Sequence, residues 1–376
     1  MASSEPRLVV TQDELLSLCA GWHETPVLGL DTEFVRTRTF YAGLGLIQVC
    51  DGREVYLLDT VALENLGAFR DLLLQRRAVI VVHSCSEDMG IFAHELGALP
   101  RRIFDTQIAA AFVGLGFSRS YQVLVATVLD VHLAKDQTRS DWLARPLSES
   151  QLRYAAADVD YLSDLHERLR AELSERGRLA WVEEEFERLL DMSRYSVAPE
   201  LSYRRIKGAG QLDRRGLGIL RELSTWREHE AIRRDLARNF VVHDKVLLEI
   251  ARLRPRKVDD LRATKELERR QRRRHGDRLV AIVREAEELA EDSLPPLSPR
   301  RPRIPRYKER MRALQEKVAE VAQHMELAPE ILAQRRMLES LLHGFAEESS
   351  DELPSGLRGW RAEVIGRPLL ELLRSD

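Results

Sequence analysis

The chain has few cysteines and lacks any long apolar run. Its 376 residues include three cysteines, an odd number with no Cys-x-x-Cys pair. A disulfide framework or a structural zinc site is therefore not expected. The low cysteine count instead favours a protein of the reducing cytoplasm. The nearest candidate for a membrane helix, residues 106–118, is shorter than the roughly 18–20 apolar residues required. The first ten residues lack the basic and apolar regions of a secretory signal. We expect a cytoplasmic protein with no membrane partner.

Two kinds of catalytic motif are also missing. The ten histidines show neither HxxxH nor HExxH spacing, which argues against metal chemistry based on imidazole. No GxxxxGKS or GxxxxGKT loop occurs, so a nucleotide-driven motor and a nucleotide cofactor are not expected. What is present is the composition of a globular chain, since 44% of the residues are hydrophobic. A length of 376 residues predicts two or three domains.

The small net charge of −3 hides an uneven distribution along the chain. Residues 1–200 contain 20 Lys and Arg against 31 Asp and Glu, whereas residues 201–300 contain 25 against 17. Within residues 251–280 the count is 12 basic to 5 acidic residues. This pattern suggests carboxylate chemistry in the first part and a polyanionic partner for the second. A solvated helix surface would explain the basic window equally well.

Hydrophobic patterning divides the chain into an α/β part and a helical part. Short apolar runs predict strands at residues 26–30, 44–50, 54–59, 78–82 and 103–105. Helical patterns lie between these strands, which together predict a mixed sheet flanked by helices. After about residue 200 only helical patterns remain, and a proline cluster predicts a linker. The predicted domains are an α/β domain at 1–205, a helical domain at 211–290, a linker at 291–304 and a second helical domain at 305–376.

Two carboxylates at the end of the first apolar run are candidates for a metal site. Asp31 and Glu33 are two residues apart, so they point to the same face of a strand. Side-by-side carboxylates repel each other unless a cation lies between them, and hard oxygen ligands suit Mg²⁺ or Mn²⁺. An exposed acidic strand end would explain the same pair without any site.

Two further acidic motifs follow where a site could use them. Asp88 lies in the first turn of a helix that follows a predicted strand, and active sites in α/β sheets lie beyond the carboxyl ends of strands. Electrostatic capping of the helix would also explain this acid. Tyr154 and Asp158 are four residues apart in a helical segment, which places both side chains on one helix face.

In this order, the motifs resemble those of one family. The chain is similar to ribonuclease D, a tyrosine-bearing DEDD 3′–5′ exonuclease, in DTEFVRTRTFYAGLGLIQV (31–49), HSCSED (83–88), FDTQ (104–107) and QTRSDWLARPLSESQLRYAAADVDYL (137–162). The resemblance covers about residues 5–200. Residues 220–255 resemble an HRDC domain, the helical module of ribonuclease D and RecQ-type helicases. Residues 305–376 stand where the family carries a second HRDC domain.

The resemblance implies a fold, an activity and a set of site residues. It implies an RNase H-like α/β exonuclease domain followed by two helical HRDC domains. The metal ligands would be Asp31, Glu33, Asp88 and Asp158, with Tyr154 as the catalytic tyrosine. The implied reaction is hydrolysis of RNA from a free 3′-OH with two divalent ions, releasing 5′-mononucleotides. The implied substrates are tRNA precursors and other small structured RNAs.

Other residues are candidates for contacts with RNA. The predicted substrate-binding residues are Thr32, Gln48, Lys135 and Arg139. A basic surface, called here the arginine patch, is predicted to bind nucleic acid and comprises Arg252, Arg254, Arg256, Lys257, Arg272, Arg273 and Arg274. The FDTQ aspartate, Asp105, resembles an N-cap and is interpreted as structural. The protein is expected to be a monomer.

Two rival functions remain open at this point. A DNA-directed 3′–5′ exonuclease would use the same acids, and HRDC modules also occur in DNA-processing proteins. A non-catalytic RNA-binding scaffold could have kept the fold. Against the scaffold stand the five polar motif residues, which are all present although RNA binding alone does not need them.

Overall fold

The computed structural model describes residues 5–75, 77–133, 140–195, 198–297, 304–348 and 352–375. Contacts divide them into two units. The first unit holds residues 5–34, 44–192 and 304–375. The second unit holds residues 35–43 and 193–297.

The α/β part of the first unit alternates strands and helices, as the apolar runs predict. Its elements in chain order are β1 (Arg7–Val9), α1 (Gln12–Trp22), β2 (Val27–Val35), β3 (Gly43–Cys50), β4 (Val55–Asp59), α2 (Gly67–Leu73), β5 (Val79–Val82), α3 (Ser86–Glu95), β6 (Ile103–Asp105), α4 (Thr106–Phe112), α5 (Tyr121–Leu129), α6 (Glu149–Ala157), α7 (Leu162–Glu175) and α8 (Leu179–Leu189). Strand β1 was not predicted. The other five strands confirm the predicted runs.

The six strands form one mixed sheet in the order β1-β4-β3-β2-β5-β6. Strands β3 and β4 pair antiparallel as a hairpin, whereas β2, β5 and β6 run parallel to one another. Strand β4 is buried along its whole length. Burial of both faces explains why such strands read as continuous apolar runs instead of alternating ones. The carboxyl ends of β2, β5 and β6 meet at one edge, so side chains that follow these strands lie close together.

The second unit is helical around one apolar core. Its helices are α9 (Arg214–Arg233), α10 (Arg238–Val241), α11 (Asp244–Leu253) and α12 (Arg269–Glu287), joined partly by 3₁₀ turns. No strand occurs among the described residues after 200, as predicted. Helix α9 ends near Arg233 because Asp235 has a left-handed backbone conformation, with φ of 44°, which terminates the helix.

The C-terminal helices pack against the α/β part of the first unit. They are α13 (Tyr307–His324), α14 (Pro329–Leu332), α15 (Arg335–Glu348) and α16 (Arg367–Arg374), the last preceded by a π-helical turn at Ala362–Gly366. The Trp360 ring stacks on Trp181 of α8 at 5.0 Å, and Arg361 forms a 2.6 Å ion pair with Glu185. Residues 305–376 are thus helical, as predicted, and their division from the α/β part as a separate domain stays a prediction.

Two further predictions concern membranes and cysteines. Within the described ranges, no helix is both long and apolar enough to cross a membrane. All three cysteines are buried and free, as expected for a chain without a disulfide framework.

Candidate active site

The first two candidate acids project from β2. Asp31 and Glu33 are half-buried, and the strand continues past both to Val35. The prediction that they lie at a strand end was therefore slightly wrong, since they lie within its carboxyl-terminal half. Their two-residue spacing keeps both carboxylates on one face of the strand.

The third acid, Asp88, lies in the first turn of α3, directly after the parallel strand β5. Its carboxylate is 9% exposed and accepts a hydrogen bond from the hydroxyl of Thr32, which lies between the two acids on β2. The parallel pairing of β2 and β5 brings these elements together. Thr32 thus contacts a candidate metal ligand, and its predicted role in substrate binding remains a prediction.

Tyr154 and Asp158 reach the same place from α6. The helix begins with a capping box in which Ser148 and Gln151 exchange hydrogen bonds, and Asp158 is its C-cap residue. The phenol of Tyr154 donates a hydrogen bond to Asp158, as the i, i+4 spacing allows. Gly29 lets this region approach β2, because a Cβ there would meet the Val159 carbonyl at 3.3 Å and Leu162 at 3.1 Å.

Burial raises the pKa values of all four carboxylates, and repulsion within the cluster adds to the rise for Asp31 and Glu33. Burial, followed by repulsion from Asp88, Asp158 and Glu33, raises the pKa of Asp31 well above its usual range. Burial and repulsion from Asp158 and Asp88 raise the pKa of Glu33 to about 8. Burial also raises the pKa of Asp88 and of Asp158 to about 6, while the hydrogen bonds from Thr32 and Tyr154 oppose the rise. The four acids therefore form one electrostatically coupled cluster.

This cluster fits divalent cations by charge and by donor type. Among the described residues, no three acidic, imidazole or thiol groups already form a closed ligand set in the observed positions. The argument for a cation rests instead on four mutually repelling oxygen donors, Asp31, Glu33, Asp88 and Asp158. Burial and repulsion disfavour their ionised forms, and bound Mg²⁺ or Mn²⁺ would favour them.

Tyr154 is suited to hydrogen bonding rather than to accepting a proton. Burial, and then the charge of Asp158, raise the pKa of its phenol above the usual range. The group therefore stays protonated near neutral pH. The buried indole of Trp142 lies beside it, with ring centroids 6.2 Å apart.

The remaining substrate-binding candidates receive little structural support. Gln48 is completely buried on β3, and neither of its side-chain polar atoms has a hydrogen-bond partner among the described residues. Lys135 and Arg139 lie outside the described residues.

Sequence reasoning did not foresee how the segment before α6 is held. Arg145 donates two 2.7 Å hydrogen bonds to Asp59 of β4 and further ones to the carbonyls of Gly45 and Trp142. A Cβ at Gly45 would collide with the Trp142 carbonyl, so this position requires glycine. The only sequence signal was the position of Arg145 within the long motif that ends in YAAAD.

The arginine patch is not a uniform surface. Arg254 forms an ion pair with Asp213, and Arg252 donates to Gln211. In the described part of the helical unit, no ion pair involves Arg272, Arg273 or Arg274. The first two arginines are therefore less available for phosphate than the last three.

Three family models match the chain. A 3′–5′ exonuclease model matches residues 6–174, and an HRDC domain model matches residues 216–283. A third model, described as the C-terminal HRDC domain of ribonuclease D, matches residues 305–369. The matches follow the order of the α/β part, the second unit and the C-terminal helices.

Full-length relatives agree with these models. Ribonuclease D of Pseudomonas paraeruginosa is 40% identical over 366 residues, covering 96% of both chains. Ribonuclease D of Escherichia coli is 37% identical over 370 residues, covering 98% of both chains. The crystal structure of Escherichia coli RNase D, described as an exoribonuclease involved in structured RNA processing, superposes with a TM-score of 0.90 at 37% identity, covering 100% of this chain and 99% of that one. The chain thus belongs to the ribonuclease D family of 3′–5′ exoribonucleases, which act on RNA.

Proposed function

We propose that this enzyme removes nucleotides from the free 3′-OH end of RNA by two-metal-ion hydrolysis, releasing 5′-mononucleotides. The exonuclease family of the α/β part is metal-dependent. The single observation that carries the proposal is the convergence of four coupled carboxylates from β2, α3 and the end of α6. Four acids bring about four negative charges, which two divalent cations offset.

The site residues have three different parts in this proposal: holding the ions, holding the ligands and orienting the water. Asp31, Glu33, Asp88 and Asp158 would hold the ions. When bound, a pair of divalent ions supplies an acidified water and stabilises charge on the leaving oxygen. Thr32 holds Asp88, and Tyr154 holds Asp158 through its phenol. Tyr154, which keeps its proton, orients the attacking water by hydrogen bonding instead of acting as a free base.

The proposed substrates are tRNA precursors and other small structured RNAs, acted on in the cytoplasm by a monomer. The support is family membership, together with the description of the Escherichia coli relative as an enzyme of structured RNA processing. A clear preference for RNA over DNA distinguishes this proposal from a DNA-directed exonuclease.

RNA is proposed to bind the helical unit at an arginine-lined cleft. The cleft has a volume of 520 Å³ and contains Arg270 and Arg274, which are neighbours on one face of α12. It also contains Phe240, which is 53% exposed and suited to stacking against an unpaired base. Glu268 is the one acid among its lining residues. This proposal differs from the predicted arginine patch, because Arg274 is the one residue that the cleft and the patch share.

The test uses one 5′-end-labelled sequence prepared as RNA and as DNA. The full chain is incubated with each, with and without Mg²⁺. Shortening of the RNA from its 3′ end, dependent on Mg²⁺ and faster than that of the DNA, is the expected result. Equal or faster shortening of DNA would favour the DNA-directed alternative, and no shortening of either would favour a scaffold.

A further inference from the structure

A buried carboxylate outside the acid cluster joins two helix starts. Asp105, at the end of β6, is 2% exposed. Its Oδ1 accepts hydrogen bonds from the backbone N–H groups of Gln107 and Ile108, at 2.8 and 3.2 Å, and thereby caps α4. The interpretation of Asp105 as an N-cap is confirmed, but it accounts for only half of its contacts.

The other half of the contacts reaches the turn that begins α3. Oδ1 of Asp105 also accepts from the backbone N–H of Ser84 at 3.2 Å, and Oδ2 accepts from that of Cys85 at 3.0 Å. The thiol of Cys85 also hydrogen-bonds the Asp105 carboxylate, so Cys85 contacts it through both its backbone and its side chain. Asp88 follows three residues later in the first turn of α3, so the carboxylate holds the turn that places this acid.

The turn before α3 has an unfavourable backbone conformation that its hydrogen bonds stabilise. Ser84 has a φ of 59°, in the left-handed region that costs a non-glycine residue about 1 kcal/mol or more. Thr106, the residue after Asp105, contacts the two residues before Ser84. Its hydroxyl lies 2.9 Å from the His83 ring and donates a hydrogen bond to the Val82 carbonyl. The FDTQ segment thus fixes the backbone that leads to Asp88.

We propose that Asp105 is a positioning residue for the metal site, setting how tightly divalent cations are held by fixing the place of Asp88. The inference rests on the proposed function, because it assigns Asp105 a role toward the ligands named there. Asp105 itself is not a ligand, since its carboxylate is occupied by four backbone donors. Residues that orient metal ligands typically contribute about 10- to 100-fold to metal affinity or activity.

The Asp105→Asn substitution separates this role from helix capping. Asparagine is as good an N-cap as aspartate, so its carbonyl oxygen keeps the bonds to α4. Its amide NH₂ replaces Oδ2 and cannot accept from Cys85, so this contact with the α3 turn is lost, whereas the bond from Ser84 to the remaining oxygen is kept. Asp105→Ser, which also retains a capping oxygen on a shorter side chain, serves as a second variant should the asparagine variant not fold.

The matched control is Glu87→Gln. After burial, the charges of Asp105 and Glu87 both contribute to the raised pKa of Asp88. Glu87 is exposed, and among the residues that the structure describes its carboxylate accepts no hydrogen bond from the turn. A change that comes only from removing a negative charge should therefore be similar in Asp105→Asn and Glu87→Gln.

The experiment measures Mn²⁺ binding to the full chain by electron paramagnetic resonance, beside the Mg²⁺ concentration for half-maximal RNA hydrolysis. We expect Asp105→Asn to weaken Mn²⁺ binding by about 10-fold or more, with much of the rate restored at saturating Mg²⁺, and Glu87→Gln to change binding far less. Equal Mn²⁺ affinity in Asp105→Asn and Glu87→Gln would overturn the positioning role. Failure of the unsubstituted protein to bind Mn²⁺ would instead overturn the proposed function.

Discussion

The hydroxyl of Thr32 donates a hydrogen bond to Oδ1 of Asp88, and the two side chains are 5% and 9% exposed. The bond connects two candidate metal-binding segments that are 56 residues apart in sequence. Because it favours the ionised carboxylate, it keeps the pKa of Asp88 lower than burial alone would set it.

Replacing Thr32 with valine should therefore impair the site without changing its shape. We expect Thr32→Val to raise the pKa of Asp88, to lower activity near pH 7 by about 10-fold, and to move the acidic limb of the pH–rate profile to higher pH. The measurement is that profile at limiting Mg²⁺. The control is Thr60→Val, which removes a hydroxyl that donates to the Leu44 carbonyl in the same sheet. An unchanged profile in Thr32→Val would contradict the proposed role of the bond.

Removing one charged oxygen from the acid cluster should abolish most of the activity while the fold is kept. Asp31→Asn and Asp158→Asn are each expected to lose about 10³-fold or more in rate, because one missing ligand displaces an ion. Single-turnover hydrolysis of labelled RNA measures the loss. Asp164→Asn, an exposed acid on α7, is the control. Near-normal turnover in either cluster variant would refute its assignment as a ligand.

Burial and repulsion within the acid cluster should make the metal-free protein less stable as pH rises. The pKa of Glu33 is raised to about 8 in the folded chain from 4.5, so the folded state retains a proton that the unfolded state has lost. The stability that this proton contributes is full below pH 4.5, falls as pH rises above that value, and is lost once pH exceeds about 8. We expect the melting temperature in chelator to fall by on the order of a few degrees between pH 6 and pH 8.5, and Mg²⁺ to reverse the fall. Glu33→Gln should flatten the dependence, and an equally steep fall in that variant would assign it to other groups.

The direction of degradation gives a prediction about the end of the substrate. A 3′-phosphate should block hydrolysis, because the added charge would be placed among the acids in place of a free hydroxyl. Matched RNAs that end in 3′-OH or 3′-phosphate, separated on a denaturing gel, measure the effect. A circular RNA should remain intact, and internal cuts in it would contradict exonucleolytic action.

Two sets of arginines in the helical unit should differ in their contribution to RNA binding. Arg270→Ala with Arg274→Ala should weaken binding of a tRNA precursor and reduce the slope of log affinity against log salt by about 1.4, or about 0.7 per lost phosphate contact. Arg252→Ala with Arg254→Ala should do less, because these guanidinium groups are bound to Gln211 and Asp213. Filter binding at several salt concentrations measures both. Equal effects would show that Arg252 and Arg254 contribute as much to RNA binding as the arginines of the cleft.

Deleting residues 211–376 would be a less specific test of RNA binding. The deletion would remove Trp360 and Arg361 from their contacts with Trp181 and Glu185 on α8. Loss of a packed tryptophan alone typically costs about 3–5 kcal/mol of folding free energy. Point variants avoid this loss.

The sequence by itself determined what depends on local periodicity and on the order of motifs. Alternation along a strand places Asp31 and Glu33 on one face, and the turn of a helix places Tyr154 beside Asp158. Apolar runs predicted five of the six strands, and the motif order led to the family. The three-residue strand β1 was not predicted.

Only the tertiary structure decided which side chains meet across long stretches of chain. Asp88 is hydrogen-bonded to Thr32, which lies 56 residues away in sequence. Asp105 accepts from Cys85, 20 residues away, and Asp59 accepts from Arg145, 86 residues away. Likewise, within the described ranges Arg254 has an ion pair and Arg274 has none, although both lie in one basic window. No local rule predicts such pairs, because the distance between two distant segments is set by how the sheet and its helices pack rather than by their separation along the chain.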